Sequence, residues 1–535
     1  MVLVALPVAI ILLRYRISPN RRSVLTVGEG DVDIPEESDI PWRDSSRLTR
    51  LLIDHYASLD LPDWKKEGKV KAPRIILAKL QKGIDVDAVN DYLLSKKPWG
   101  APGSTWPLHP RGDYDFTMMA LAAVLHLFHG SGDPLRDETA RHIAVRLIGI
   151  DDPTKRCDRV PNTFGLILES ENHVLMTTGS RYLALKWAKE NGVEIDDNSL
   201  ELLGNRVKHL LEELYNPGPY EFNSDPYFGY TLTAVLILEA FGYDDVKEIA
   251  EKVLYRLNYN YALSSMGLRR APPFRRQVKR ACKTSLVKDY HSSMMEVWRS
   301  LFIEEEAESM ISGGHEHSLM AAVLPYRPHA GIMTMLDIKD REYLFRIGNG
   351  KGSSPEIYSG GPGFLISSGG TPRSLISRIA ARPSILLLDD GETDMEHVLR
   401  LSGPRCYWWK WNNTGVHRRF AVSSCPARVP SSWIPCRSND LWRVYLRSGI
   451  TIGVHSGNKL GIICILDGDP DEAFNIMNGQ NGDVNRLRRE FVFPDGRKVS
   501  YDVSSPKDKG VITAVDGGDI DRDLDDWTLL SGNFL

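Results

Sequence analysis

Between Ser46 and about Glu306 the apolar residues return every three or four positions, the period of a helix with one buried face. Residues 46–58, 86–95, 114–129, 135–150, 163–190, 199–215, 226–241, 244–257 and 285–306 carry that period, and turn-forming runs such as "GSGDP", "NPGP" and "NSDP" separate several of them. After "MISGGHEHS" the texture changes to short runs rich in Val, Ile, Tyr and Trp, among them "YLFRIG", "SILLLDDGE", "WRVYLRSGITIGVHSG" and "LGIICILDGD". Gly, Asp and Asn turns divide them, and "FPDGRKV" reads as a two-residue Asp-Gly hairpin. No helical crossovers intervene, so the strands are expected to pair antiparallel in a β-sandwich. The expected organisation is an N-terminal segment 1–45, a helical domain 46–314 and an antiparallel β-sandwich domain 315–535.

A chain of 535 residues is too long for one ordinary core, and 42% hydrophobic with 25% charged residues describes a folded protein. Its net charge of −4 removes any chain-wide attraction to nucleic acid, which is not expected as a partner. The six cysteines form no CxxC pair and no zinc-finger spacing, although a disulfide within Cys406 to Cys436 stays open. His315 and His317 in "GGHEHS" make an HxH pair that lacks a third ligand at a convincing spacing. At the start of the chain, the apolar run Val2 to Leu13 is too short to span a bilayer and has its basic residues on the far side for an ordinary export signal. It reads as a truncated signal or anchor, or as a buried first element. Association into a homo-oligomer is left open.

Candidate chemistry concentrates in three segments. In "ILESENHVLMTTGSRYLALKWA" a helix would set Glu169 beside both Asn172 and His173, with Glu171 pointing elsewhere. A carboxylate next to a histidine biases its tautomer and charge, and the amide adds a neutral donor. In "EFNSDPYFGYTLTAVLILEAFG" the residues Ser224 or Asp225 and Pro226 form a helix start, which brings Tyr227 and Tyr230 onto one face of the first turn. The positive end of a helix there favours an anion, whether a substrate carboxylate or a phenolate. In "LRRAPPFRRQVKRACK" seven basic residues, Arg269 and Arg270 among them, follow one another without an acid, as contact with a polyanion would require.

The adjacent Asn172 and His173, a tyrosine 54 positions later at Tyr227 (227 − 173 = 54), and an all-β C-terminal half resemble the heparinase II/III and oligoalginate lyase group of polysaccharide lyases. At residue level the resemblance rests on "ESENH" and "DPYFGY". It implies an incomplete α/α toroid followed by a sandwich, and β-elimination at a uronic acid of an anionic polysaccharide. It further implies that Asn172 and His173 neutralise the substrate carboxylate and that Tyr227, or failing it Tyr230, carries the proton. Glu169 or Glu171 would orient His173. The sheet domain of such lyases adds a His or Tyr, for which His315, His317, Tyr326, His329 and Tyr358 are candidates here. The chemistry implied needs no cofactor, while the resemblance leaves room for a structural zinc or calcium with unknown ligands. A glycan substrate slightly favours an extracellular or cell-surface location.

Two other classes fit the same residues. A glycoside hydrolase on a similar toroid would pair Glu169 or Glu171 with Asp113, Asp115 or Asp225. A glycan-binding protein would keep the groove without chemistry.

Overall fold

A computed structural model describes residues 42–62, 64–95, 115–149, 170–216, 218–219, 227–271, 285–287, 290–303, 318–348, 356–369, 383–401, 412–506, 509–524, 527 and 530–534. The apolar run at Val2 to Leu13 lies outside them. The chain is a mixed α+β protein, with helices in the N-terminal part and antiparallel sheets in the C-terminal part.

The described helices are α1 (Arg47–Ala57), α2 (Trp64–Lys82), α3 (Val86–Ser95), α4 (Asp115–Leu127), α5 (Asp137–Ile148), α6 (Glu171–Glu190), α7 (Asp197–Tyr215), α8 (Tyr227–Phe241) and α9 (Asp244–Leu263). After a two-stranded ribbon, β1 (Ser265–Met266) and β2 (Arg269–Arg270), come α10 (Tyr290–Phe302), α11 (Ser318–Val323) and α12 (Ala330–Asp337). Helix thus continues past residue 315, and the first strand of a large sheet begins only at Tyr343.

Local chemistry accounts for several of these boundaries. Ser46 and Thr49 cap α1 reciprocally, the serine hydroxyl accepting from the Thr49 N–H at 3.1 Å and the threonine hydroxyl from the Ser46 N–H at 2.9 Å. Helix α2 carries Pro73 in its interior, and the periodicity of its charged first half does not announce it. It holds because Ile75, Ile76, Leu77, Ala78 and Leu80 are buried in the core, which outweighs the roughly 3 kcal/mol an internal proline costs.

Seven strands form the first sheet in the order β10-β7-β6-β5-β4-β3-β19: β3 (Tyr343–Ile347), β4 (Glu356–Gly361), β5 (Phe364–Gly369), β6 (Ser384–Leu388), β7 (Leu399–Leu401), β10 (Ala427–Arg428) and β19 (Ser531–Phe534). Alternation along these strands divides their side chains between two cores. Tyr343, Phe345, Ile347, Tyr358, Leu365, Ile385 and Leu387 join the helical core, whereas Phe364, Ile366, Leu386, Leu388, Leu399 and Leu401 face the second sheet.

That second sheet has the order β11-β12-β13-β14-β9-β8, with β8 (Thr414–His417), β9 (Phe420–Ser423), β11 (Arg437–Ser438), β12 (Arg443–Arg447), β13 (Ile450–Gly457) and β14 (Leu460–Leu466). It is apolar on both faces as well. In "LGIICIL" the residues Ile463 and Ile465 meet the first sheet, while Ile462, Cys464 and Leu466 meet a further core built with α13 (Pro470–Asn481) and a four-stranded sheet. The latter comprises β15 (Glu490–Val492), β16 (Lys498–Tyr501), β17 (Ile512–Val515) and β18 (Gly518–Asp519). Burial on both faces is why this strand reads as a continuous apolar run.

The "FPDGRKV" turn differs from the expected two-residue form. Phe493 still pairs with Arg497, and the Gly496 N–H donates to the Phe493 carbonyl at 2.9 Å, which leaves Pro494, Asp495 and Gly496 as a three-residue loop. Gly496 takes a φ of 86°, the left-handed position that such a loop requires. Pro494 selects this form, because its fixed φ suits the first corner of a type I turn and not an Asp-Gly type I′ turn. As for the cysteines, Cys436 and Cys464 are free thiols.

Candidate functional site

Helix α6 starts at Glu171 behind the extended Ser170. Instead of capping the backbone, the Ser170 hydroxyl donates to Asn172 Oδ1 at 2.6 Å. This bond fixes the amide so that Nδ2 points the other way, where it is buried and meets no acceptor among the described residues. Asn172 is fully buried, while Glu171 and His173 on either side are half-exposed. An amide donor with nothing to bind at the head of a helix is costly, since an unmade buried hydrogen bond costs about 1–3 kcal/mol.

Helices α6 and α8 run parallel. A methyl built on Gly179 would lie 3.5 Å from Leu238, and further along both helices the Tyr243 N–H donates to the Tyr182 hydroxyl at 3.0 Å. Both tie points advance in the same direction, so the first turn of α8, with Tyr227 half-buried and Tyr230 buried, lies at the same end as Asn172 and His173.

A third helix head joins them. The Tyr230 and Tyr290 rings are 6.4 Å apart, and the Phe228 ring is 5.4 Å from that of His291, the second residue of α10. Gly229 is the closest point. A methyl there would overlap the Tyr290 Cβ and stand 2.9 Å from its Cγ, neither of which can swing away. Gly229→Ala gains about 1 kcal/mol in helix propensity but incurs a packing penalty at the upper end of 1–3 kcal/mol, so a net loss of roughly 1–2 kcal/mol is expected. Denaturant titration checks this, and a variant as stable as wild type would mean that α8 and α10 do not touch as described.

Behind these turns lies a buried polar chain whose members no sequence spacing connects. Arg270 Nη1 donates to His291 Nδ1 at 3.0 Å, so the imidazole proton sits on Nε2 and is donated to Asn258 Oδ1 at 2.9 Å. Asn258 Nδ2 in turn donates to the Tyr326 hydroxyl at 3.2 Å. Burial, and then the Arg270 charge, hold His291 well below the ordinary histidine pKa, so it is neutral. The Arg270 guanidinium also lies over the Tyr261 ring at 4.9 Å and the Phe228 ring at 6.0 Å. From the first sheet, the Tyr358 hydroxyl donates to Glu356 at 2.5 Å. Burial raises the Glu356 carboxyl to about 7, against the pull of Tyr358 and Arg270.

Arg269 and Arg270 are therefore buried, not spread on a solvated face. Arg269 clamps the ribbon to the sheet, pairing with Asp390 at 3.1 Å and donating to the carbonyls of Leu388 and Glu392. A basic run by itself says nothing about which of its side chains the fold covers, and here both are covered.

Other expectations fall elsewhere. Glu169, His315 and His317 lie outside the described residues, as do Asp113, Ser224, Asp225, Pro226 and the basic residues from Arg275 to Lys283. His329 caps α12 by accepting from the Gly331 N–H at 3.1 Å. Tyr326 and Tyr358 are buried in the hydrogen bonds given above. Among the described residues no group of three or more His, Cys, Asp or Glu is placed to hold a metal ion. No described helix is long and apolar enough to cross a membrane. In comparisons with known proteins, no family model and no curated protein matches the chain.

Proposed function

We propose that the chain is a polysaccharide lyase that cleaves a uronic-acid-containing glycan by β-elimination, with its helices arranged as an incomplete α/α toroid beside the sandwich. The observation that carries this reading is the amide of Asn172, oriented by Ser170 and left without an acceptor among the described residues, at a helix head next to the half-exposed His173. Tyr227 stands at the head of a parallel helix at the same end. The short motifs that resemble heparinase II/III and oligoalginate lyases point the same way.

A proton next to a carboxylate leaves only if the enolate-like charge that builds up is stabilised. Asn172 and His173 donate to the carboxylate, and the clustered helix heads favour that negative charge. Tyr227 removes the C5 proton and returns one to the leaving glycosidic oxygen, with Tyr230 as the alternative carrier. Glu169 or Glu171 orients His173. No step of this scheme calls for a cofactor.

The test is an ultraviolet assay for the conjugated unsaturated uronate on alginate, hyaluronan, heparan sulfate and chondroitin. Wild-type protein is expected to generate the chromophore on at least one of them, and His173→Ala to slow it by about 10²–10³-fold. New reducing ends without the chromophore would mean hydrolysis, and binding without any product would mean a glycan-binding protein; either result overturns the lyase.

A further inference from the structure

On the far side of the first sheet from the helices, strands β3 to β5, strand β8 and strand β17 line a small cleft that opens to solvent. Arg346 alternates with Phe345 and Ile347, which enter the helical core, so its side chain projects into this cleft. The guanidinium stacks over the Trp527 ring at 5.0 Å. It meets no carboxylate at ion-pair distance and no hydrogen-bond acceptor among the described residues, although burial lowers its pKa. The charge of Asp521 acts on it from beyond ion-pair distance and only partly offsets the burial, which leaves a half-buried cation at a cost.

Its neighbours repeat the pattern. Trp527 is only 6% exposed, and its indole N–H finds no acceptor among the described residues. Thr414 accepts from the Ser368 hydroxyl at 2.7 Å, which leaves its own proton to give away. His417 is held neutral, its pKa brought to about 4 by burial and by the charges of Arg418, Arg346 and Arg497, with Asp516 acting in the opposite sense. The one acid on the wall, Asp521, accepts from the Asp523 N–H at 3.0 Å.

A cleft whose cation has no ion-pair partner and whose buried indole N–H has no acceptor among the described residues suits a ligand that only accepts. We propose that this cleft is a binding site for a carboxylate, held by the forked guanidinium of Arg346 with Trp527 and Thr414 as further donors. A single negative charge suits it better than a doubly charged phosphate, because Asp521 lies on the same wall. The site does not depend on the lyase reading, since it lies across the sheet from Asn172 and its neighbours.

Fluorotryptophan labelling tests it by NMR, with Trp527→Phe identifying the Trp527 signal among those of the twelve tryptophans. Titration with sodium acetate and with sodium glucuronate is expected to shift that signal saturably, while glucose leaves it in place. Equal affinities would assign recognition to the carboxylate alone, and tighter binding of glucuronate would add contacts to the sugar ring; both support the site. Arg346→Gln is expected to weaken binding by about ten- to a hundredfold. Arg346→Lys, which keeps the charge but loses the fork, should lie between the two and serves if the glutamine variant does not fold. No saturable shift in wild type, or equal affinity in wild type and both variants, would overturn the proposal.

Discussion

Tyr227→Phe is expected to slow elimination by about 10²–10⁴-fold, the usual share of a positioned proton carrier, while leaving the melting temperature nearly unchanged. Tyr227 is half-buried at the first position of α8, so the ring's packing survives and only the hydroxyl is lost. Tyr230→Phe is the internal comparison. Its ring packs beside Tyr290 and is buried, so a phenylalanine there should keep most of the rate. Initial rates of ultraviolet product formation for both variants decide the assignment. If the Tyr230 variant is the slow one, the proton carrier is one turn further along the helix. If both retain the wild-type rate, neither phenol moves the proton.

The second large effect concerns stability and pH. Glu356 opens strand β4 with its carboxyl buried against the helical core, which raises its pKa from 4.5 to about 7. The folded protein therefore holds this proton more tightly than the unfolded chain. A carboxyl raised on folding contributes stability that is fully present below about pH 4.5 and is lost as pH rises through about 7. The gap between those two values corresponds to something on the order of 3 kcal/mol. Glu356→Gln copies the protonated form and can still accept from Tyr358. It should match wild type near pH 4 and exceed it in unfolding free energy at pH 8, as measured by chemical denaturation. An identical difference at both pH values would show that Glu356 does not titrate across that range.

How far the sequence discloses this molecule depends on how local each feature is. Helices α6 to α9 are legible because their apolar faces recur with a helical period, and strands β3, β5 and β6 because alternation or a continuous apolar run marks them; β4, with its Ser-Gly-Gly end, carries neither signal. Helix α2 escapes, since Pro73 and a lysine-rich start mask the helical period of a segment that buries Ile75, Ile76, Leu77, Ala78 and Leu80. Helix α13 escapes because Asp469, whose side chain accepts from the N–H groups of Asp471 and Glu472, opens a helix amid strand-like texture. In the site, Asn172, His173, Tyr227 and Tyr230 stand out by spacing within single helices. Asn258, His291 and Glu356 do not, because their relation exists only after α9, α10 and β4 have packed. Arg270 lies 21 positions from His291 and 86 from Glu356 (356 − 270 = 86), and no periodicity connects such separations.

The sheet that lies between the helices and the second sheet leaves this protein without a seam. Its strands spend one row of side chains on each neighbour, so neither half owns the wall between them. Cutting the chain ahead of Tyr343 would strip Tyr343, Phe345, Tyr358, Leu365, Ile385 and Leu387 of their cover, and would remove the floor on which the helices rest. The two halves are thus better regarded as one cooperative body than as modules on a string, and exchange of either half during evolution would have to preserve that shared wall.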